Sequence, residues 1–345
     1  NSVVDIAFFY DQEFDQEFGL GYPRTVAEAS VAYTNAAYAL HNVPVELRTV
    51  YVGPLAEPSI GDPFSQFVSS DSAYDTGEAY GADLIHRLFR FSDDLGLDYC
   101  GQAFLIGRQG VSGLGCNRTA ETVAHEIGHN FGANHDRANA RGNVGGAISE
   151  YNFGYNCGNR GTIMSYYWPR VPHYSSPALF NEGEACGVSA PLPGAADNAL
   201  VMDVMGETVA NFRNEQETVG SFSLTYSGPT EVAESDAPLL EFIVARGGDT
   251  SVVTSVETAI IDIDTTAGQD YVDVIQRIEF APNETEKSFQ IQILDDNEYE
   301  GFPESLQVHL RYPNNALIAS LPIDIRITSD DPDVGIARVV FDAGG

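Results

Sequence analysis

Apolar residues follow two different spacings through the first 214 residues of the chain. Short apolar runs rich in β-branched and aromatic residues indicate buried strands, whereas apolar residues three and four positions apart indicate amphipathic helices. The runs predict strands over residues 3–10, 45–52 and 97–106, and the helical spacing predicts helices over 25–41, 75–91 and 200–213. Residues 53–72, rich in Pro, Ser and Gly, are expected to form a surface connection. This order of elements is typical of an α/β sheet covered by helices.

The pattern changes after a polar linker at residues 215–220. Residues 221–328 contain no cysteine, and short runs rich in Val, Ile and Thr alternate with turns, which predicts an all-β sandwich. A length of 345 residues also suggests about two domains. We therefore expect a first domain over 1–214, the linker, a second domain over 221–331 and a tail over 332–345.

The composition narrows the classes of partner. The 50 acidic and 17 basic residues give a formal charge of −33, which repels nucleic acid and anionic membranes. No apolar run is long enough to insert into a membrane. Because the first residue is Asn1 rather than Met, we expect a processed mature chain whose signal and pro-segments have been removed.

The four cysteines indicate an oxidising compartment. All of them lie in the first predicted domain, and their even number favours disulfides, hence a secreted, extracellular protein. Pairing Cys100 with Cys116 and Cys157 with Cys186 would close two loops of moderate size. Four cysteines allow three connectivities, and the sequence does not choose among them.

Candidate chemistry is concentrated in residues 122–136, with the sequence Thr-Val-Ala-His-Glu-Ile-Gly-His-Asn-Phe-Gly-Ala-Asn-His-Asp. Residues four apart on a helix share a face, so His125 and His129 can direct their imidazoles at one metal ion. Glu126 lies between them. The helix must then end before a third ligand can reach the same ion.

Gly132 can end the helix, because a residue without a Cβ adopts positive φ readily. His135 would then supply the third nitrogen. Three neutral imidazoles leave the fourth position of Zn²⁺ open for water, as in catalytic zinc sites. Glu126 is placed to accept the proton of that water. The spacing His-Glu-x-x-His-x-x-Gly-x-x-His fixes five positions in eleven residues, which makes it far more specific than the short form.

This motif resembles that of the metzincin metallopeptidases, and most closely that of bacterial reprolysin-like enzymes. Residues 161–167, Gly-Thr-Ile-Met-Ser-Tyr-Tyr, match the methionine turn of that family, with Met164 supporting the site from below. Tyr166 matches the tyrosine that astacin-like and serralysin-like metzincins place near the metal. Asp136 instead matches the reprolysin branch. The resemblance implies a catalytic domain with a twisted mixed sheet and a zinc-binding helix.

The resemblance also implies how substrate would bind. In metzincins the edge strand of the sheet borders the cleft and pairs with an extended peptide, and residues 109–115 are expected to be that segment. Residues 166–174 are expected to form a wall of the pocket for the residue after the scissile bond. Trp168 within this segment fits either a pocket wall or the protein core.

The second predicted domain resembles a Calx-β domain, an all-β sandwich. Four segments carry the likeness: residues 232–241, 267–271, 278–283 and 293–301. Carboxylates at strand ends and loops suit Ca²⁺, which prefers oxygen ligands. The matching positions, which are the expected calcium ligands, are Glu234, Asp270, Asp295, Asp296, Glu300, Asp330 and Asp331. Pro303 departs from the family pattern, in which this turn is usually acidic.

The sequence therefore predicts a secreted zinc endopeptidase that hydrolyses peptide bonds of extracellular proteins with a Glu126-activated, zinc-bound water. Tyr166 is the second candidate catalytic residue, as a hydrogen-bond donor to the oxyanion. The alternative is a calcium-dependent adhesion or matrix-binding protein with an inert zinc domain. The intact base and three ligands argue against that alternative.

Overall fold

The computed structural model describes residues 1–11, 14, 21–57, 61–91, 97, 99–116, 118–142, 144–213, 220–296, 302–314, 316–329 and 331. The chain folds into two compact units, with residues 1–219 and 316–321 in the first and 220–315 and 322–345 in the second. The predicted tail and most of the predicted linker lie outside the described residues. Gly220 is the first residue of a strand.

A five-stranded mixed sheet forms the centre of the first unit. Its strands are β1 (Ser2–Tyr10), β2 (Val45–Pro54), β3 (Leu84–Arg90), β4 (Gly101–Ala103) and β5 (Gln109–Leu114). The spatial order is β2-β1-β3-β5-β4. The first four strands in that order are parallel, and β4 pairs antiparallel with β5 at the edge. The sheet is therefore mixed, as expected.

Within the part of the first unit that the structure describes, five helices accompany this sheet: α1 (Tyr22–Leu40), α2 (Pro63–Val68), α3 (Asp71–Ala79), α4 (Thr119–Asn130) and α5 (Asn198–Val209). Caps define several of their starts, since Asp62 accepts the N–H of Ser65 and Ser70 accepts the N–H of Ala73. The apolar faces of α1, α4 and α5 share one core with the strands, which includes Phe8, Tyr38, Val123, Ile127 and Met202.

Two predicted elements of the first unit were wrong, and the strand expected over residues 97–106 is a strand only over Gly101–Ala103 among the described residues. The helix expected over residues 75–91 ends at Ala79, and its second half is strand β3. Six of the seven residues of β3 are buried, so apolar side chains face both sides of the sheet and the spacing cannot separate a strand from a helix. The connection expected over residues 53–72 contains α2 and the first two residues of α3.

The described residues between α4 and α5 contain six short strands: β6 (Asn134–Asp136), β7 (Phe153–Gly154), β8 (Asn156–Cys157), β9 (Arg160–Gly161), β10 (Ser176–Asn181) and β11 (Glu184–Cys186). Disulfides join Cys100 to Cys116 and Cys157 to Cys186, so each cysteine pairs with its neighbour in sequence. The first bond links the two ends of the β4–β5 hairpin.

The second unit is a β-sandwich, as expected. Its strands are β12 (Gly220–Thr225), β13 (Glu231–Ala233), β14 (Leu239–Gly248), β15 (Thr254–Asp262), β16 (Gln276–Phe280), β17 (Glu286–Gln292), β18 (Glu304–Asn314) and β20 (Ile323–Thr328), while β19 (Leu317–Ile318) lies in the segment 316–321 that groups with the first unit. One sheet has the order β17-β14-β12 and the other β13-β20-β18-β15-β16. Burial alternates along β14, where Leu240, Phe242 and Val244 face inward. Among the helices of the described residues, none has the length and apolar character needed to cross a membrane.

Candidate active site

Helix α4 and the turn after it bring three histidines together. His125 and His129 lie one turn apart on α4, which ends at Asn130. Gly132 then adopts φ of +98°, the left-handed conformation predicted for it, and donates its N–H to the carbonyl of His129. The reversed chain enters β6, where His135 faces the other two rings.

The three imidazoles converge through their Nε2 atoms. Nε2 of His135 lies 3.1 Å from Nε2 of His125 and 3.0 Å from Nε2 of His129. Each Nδ1 donates to a backbone carbonyl. His125 donates to Ile163 at 2.8 Å, His129 to Ala133 at 2.8 Å, and His135 to Asn139 at 3.3 Å. Those bonds fix the tautomer, so all three Nε2 lone pairs point to one place.

The pKa values of the three histidines keep their rings neutral, as ligands of a divalent metal ion must be. Burial lowers the pKa of each histidine, that of His129 to about 3, and the charges of neighbouring histidines lower the pKa of His125 and His129 further. The rings are therefore neutral at pH 7, as metal ligands must be. Within the described residues, these histidines form the only group of three or more metal-ligating side chains whose ligand atoms lie within 4.8 Å of one another. The donor set fits Zn²⁺ with an open position.

Glu126 lies beside the three histidines with its carboxyl group buried. Its side chain lines the same cavity, and burial raises its pKa to about 8, while the charge of Arg170 acts in the opposite direction. A buried carboxyl group with a raised pKa is typical of a group that accepts and returns protons. The structure thus places the predicted base next to the predicted metal position.

The methionine turn lies directly beneath the histidines. Met164 is fully buried, and its Sδ lies so close to Gly128 of α4 that a Cβ at that glycine would be only 2.5 Å away. The preceding residue, Ile163, supplies the carbonyl that holds His125. The turn therefore both supports α4 from below and orients one of the three rings.

Asp136 connects the third histidine to this turn. Its buried carboxylate accepts the backbone N–H of Tyr166 at 2.9 Å and the side-chain amide of Asn139 at 2.8 Å. The ring of Tyr166 consequently lies 4.2 Å from that of His135, centroid to centroid, and about half of the side chain is exposed. Asp136 and Tyr166, the two residues that match different metzincin subfamilies, are thus joined by a hydrogen bond.

These residues line one cavity of about 620 Å³. All three residues of the edge strand β4, Gly101, Gln102 and Ala103, line it. The predicted cleft-edge segment at residues 109–115 was wrong, because β5 is an inner strand with a partner on each side. The edge belongs to a strand of only three residues, for which the sequence carries no recognisable alternation.

Two cationic side chains of the cavity wall were not identified from the sequence as functional. Arg141 and Arg170 both line the cavity. Arg170 lies in the predicted pocket wall, and its Nη1 is 3.2 Å from Oε1 of Glu121. Trp168 from the same wall is 46% exposed, which excludes the core position considered for it, and it does not line the cavity. It lies between Arg118 and Arg170, at 4.9 and 5.3 Å from their guanidinium carbons.

Four of the expected calcium ligands, Glu234, Asp270, Asp295 and Asp296, lie on neighbouring segments of the second unit. Glu234 and Asp270 are buried, Asp295 is exposed, and Asp296 and Asp331 are partly buried. The N–H of Leu294 donates to the carbonyl of Asp270 at 2.8 Å, and the N–H of Ile293 donates to that of Pro238 at 3.0 Å. Those bonds bring together the chain segments that carry Glu234, Asp270, Asp295 and Asp296. Glu300 and Asp330 lie outside the described residues.

Comparison with known families identifies both units. Residues 1–175 match the model of metallo-peptidase family M12, and residues 215–328 match that of the Calx-beta domain. The first match covers half of the chain. The protein therefore belongs to metallo-peptidase family M12, with a reprolysin-like metzincin domain followed by a Calx-β domain, which confirms the resemblance and the fold class inferred from the sequence.

Similar proteins cover parts of the chain. Human FRAS1-related extracellular matrix protein 2 is 31% identical over 39% of this chain, and extracellular matrix protein 3 of Lytechinus variegatus is 27% identical over 48%. These matches span only 4% and 5% of those two relatives. A solved chain described as "Structure of a chaperone-substrate complex" is 19% identical with a TM-score of 0.51, and the match covers 62% of this chain and 40% of that one. At that identity it indicates the fold alone.

Proposed function

We propose that the protein is a secreted, zinc-dependent endopeptidase that cleaves extracellular proteins. The observation that carries the proposal is the convergence of three Nε2 atoms, with Nε2 separations of 3.0 and 3.1 Å from His135, beside the buried carboxyl group of Glu126. His125, His129 and His135 would hold the ion. Membership of family M12 and the presence of two disulfides support the same conclusion.

Each polar group of the site has a separate task in this proposal. Zn²⁺, when bound, would polarise the substrate carbonyl and acidify the attacking water. Glu126 accepts the proton of that water and later passes it to the leaving amine. Tyr166, at the rim of the cavity, donates its hydroxyl hydrogen to the oxyanion as negative charge develops. Met164 takes no part in the chemistry and keeps α4 in place by packing.

The edge strand explains how a peptide would lie in the cavity. Among the described residues β4 pairs with β5 on one side only, so its other side is available for an extended chain that adds by backbone hydrogen bonds. All three residues of β4 line the cavity that contains the histidines and Glu126. A peptide added to this edge would therefore pass the candidate catalytic groups with its carbonyls near the metal position.

The test is a Glu126→Gln variant in a mass-spectrometric map of cut sites in a proteome-derived peptide pool. The variant should retain one zinc per chain and lose turnover by about 10²- to 10⁴-fold, because the ligands are intact and only the proton acceptor is removed. Glu207→Gln, at an exposed position of α5, is the matched control and should cleave normally. Zinc-loaded Glu126→Gln with near-normal cleavage would overturn the mechanism, and a wild-type protein that cuts nothing would overturn the function.

A second candidate function is calcium-dependent adhesion or matrix binding by a chain with an inert zinc domain. It is favoured by the two similar proteins, both of which are named as extracellular matrix proteins. The presence of all three histidines and Glu126 in one cavity supports the peptidase instead. In either case we propose that the Calx-β unit binds Ca²⁺ through the neighbouring segments that carry Glu234, Asp270, Asp295 and Asp296.

A further inference from the structure

The cavity of the candidate active site has the opposite charge balance from the rest of the chain. The chain has 50 acidic and 17 basic residues, yet Glu126 is the only acidic residue lining the cavity among the described residues. Two arginines, Arg141 and Arg170, line it as well. Fixed cations in the wall of a cavity favour an anionic group over a neutral one of the same shape.

Arg170 is the more firmly held of these cations. Its side chain is only 11% exposed, and it is fixed by Nη1 on Glu121 at 3.2 Å and by the ring of Trp168. Its Nε is buried and makes no hydrogen bond with any described residue. A guanidinium group often binds a carboxylate through two parallel N–H···O hydrogen bonds. In Arg170 the Nε–H donor has no acceptor among the described residues.

The charge of Arg170 is only partly neutralised within the protein. Glu121 is shared, because its Oε2 lies 3.6 Å from Nη1 of Arg118 while its Oε1 accepts from Arg170. Two arginines around one carboxylate leave a net positive charge. Arg118 is 58% exposed and does not line the cavity, so the part of this charge that a substrate meets is that of Arg170.

We propose that Arg170 is a specificity-determining residue that binds a carboxylate of the substrate, namely an acidic side chain at the residue following the scissile bond. This inference rests on the proposed peptidase function. Arg170 belongs to the segment expected to form the wall of the pocket for that residue, and it lines the cavity together with Thr122 and Glu126 of α4. The free carboxylate at a peptide's C-terminus offers the same chemistry, so the experiment must separate the two sources.

The experiment uses pairs of quenched peptides that differ only in Glu or Gln at the residue after the cut site. In the wild type, kcat/KM for the Glu peptide should exceed that for the Gln peptide by about tenfold, the usual effect of one charge-assisted hydrogen bond. Arg170→Gln should reduce this ratio to about one. The ratio is the readout because any general effect of the substitution on Glu126 acts on both peptides alike. A ratio that is unchanged in Arg170→Gln, or a wild-type ratio at or below one, would overturn the inference.

Two further variants separate the effect of Arg170 from that of general charge and from misfolding. Arg118→Gln removes a positive charge that also contacts Glu121 and Trp168 but does not line the cavity. The Glu-to-Gln ratio of this variant should keep most of its wild-type value. Glu121→Gln leaves Arg170 unneutralised and should raise the ratio, which tests the inference even if Arg170→Gln does not fold. An equal loss in Arg118→Gln, or no rise in Glu121→Gln, would overturn it.

The terminal carboxylate is tested with the same peptides ending in a free acid or an amide. Amidation should leave the Glu-to-Gln ratio unchanged when the cut lies in the middle of the peptide. Cleavage confined to free-acid peptides near their C-terminus would overturn the side-chain assignment. If the wild type cleaves none of the peptides, the proposed peptidase function fails. If it cleaves them but shows no preference for Glu over Gln, only the inference about Arg170 fails.

Discussion

Gly101 of the edge strand lies against the carboxyl group of Glu126. A Cβ built on Gly101 would be 2.5 Å from Oε1 and 2.8 Å from Cδ of Glu126, closer than side-chain atoms approach one another. Position 101 has no side chain because the candidate base occupies that space. The edge strand β4 and the candidate base are thus packed together, and a side chain added at position 101 must move Glu126.

Gly101→Ala should therefore impair catalysis without removing the metal. The added methyl group would displace the Glu126 carboxylate, and misplacing a catalytic group by about 1 Å can cost on the order of 10²-fold in rate. Zinc content, measured by atomic absorption, should remain at one per chain. Gln102→Ala changes the next residue of the same strand and should have a much smaller effect on kcat. Normal kcat in Gly101→Ala would show that Glu126 is not held where the chemistry needs it.

Tyr166→Phe should lower kcat and leave KM nearly unchanged. Its hydroxyl is expected to bind the oxyanion, a contact made mainly in the transition state, and losses of about 10²- to 10³-fold are typical of such donors. Tyr167→Phe is the matched control, since Tyr167 is the next residue, is similarly exposed and does not line the cavity. Steady-state kinetics of both variants decide the point. An unchanged kcat would make Tyr166 a structural residue.

His86 should make the unfolding free energy pH-dependent between about pH 3 and 6.5. The side chain is buried in β3, and burial lowers its pKa from 6.5 to about 3. The unfolded chain therefore binds a proton that the folded chain does not, and stability is lost as the pH falls through this window, by up to about 1.4 kcal/mol per pH unit. Asp83 acts in the opposite direction, because burial raises its pKa to about 7.

Urea unfolding of His86→Gln between pH 4 and 7 isolates this contribution. Its unfolding free energy should fall less steeply than that of the wild type as the pH is lowered, whatever its absolute stability. Ser112→Ala provides the control, because it removes the hydroxyl that lies 3.0 Å from Nε2 of His86 without removing the titrating ring. It should keep the wild-type slope. Equal slopes for wild type and His86→Gln would show that the ring is protonated equally in both states.

Calcium should stabilise the second unit specifically. Carboxylates gathered on neighbouring segments repel one another, and a cation bound only by the folded state adds RT ln(1 + [L]/Kd) to its stability. Calorimetry of the full chain should show a higher Tm in millimolar CaCl2 than in NaCl of equal ionic strength. Replacing Asp295 and Asp296 with Asn should reduce the difference, whereas Asp203→Asn, at an exposed position of α5, should not. Equal Tm values in the two salts would mean that this sandwich does not bind calcium.

The sequence was most informative where local geometry decides the structure. His125 and His129 are four residues apart on one helix, and Gly132 lacks the Cβ that would oppose a left-handed turn, so their arrangement follows from spacing and residue type. The sandwich was recognisable for a similar reason. Its short runs rich in Val, Ile and Thr are separated by turns, and β14 alternates buried and exposed residues.

The features that the sequence did not reveal depend on pairing between distant residues. Leu84–Arg90 is buried on both faces, which removes the alternation that marks a strand. The edge position of Gly101–Ala103 is a property of its pairing with β5 rather than of its three residues. The contact of Arg170 with Glu121 joins residues 49 positions apart. No local spacing predicts such a contact, so the charge of the cavity became visible only in the folded chain.

The disulfide between Cys100 and Cys116 makes the cleft depend on where the chain folds. Cys100 lines the cavity and directly precedes Gly101, so the bond anchors the edge strand at the residue next to Glu126. In a reducing cytosol the two thiols would not be joined. The three histidines could still come together, but the edge strand β4 would lack its covalent anchor. Oxidation would complete the edge only outside that compartment. If the protein is the peptidase proposed above, the reduced chain would be less active than the disulfide-bonded one. The producing cell would then be protected from proteolysis until export.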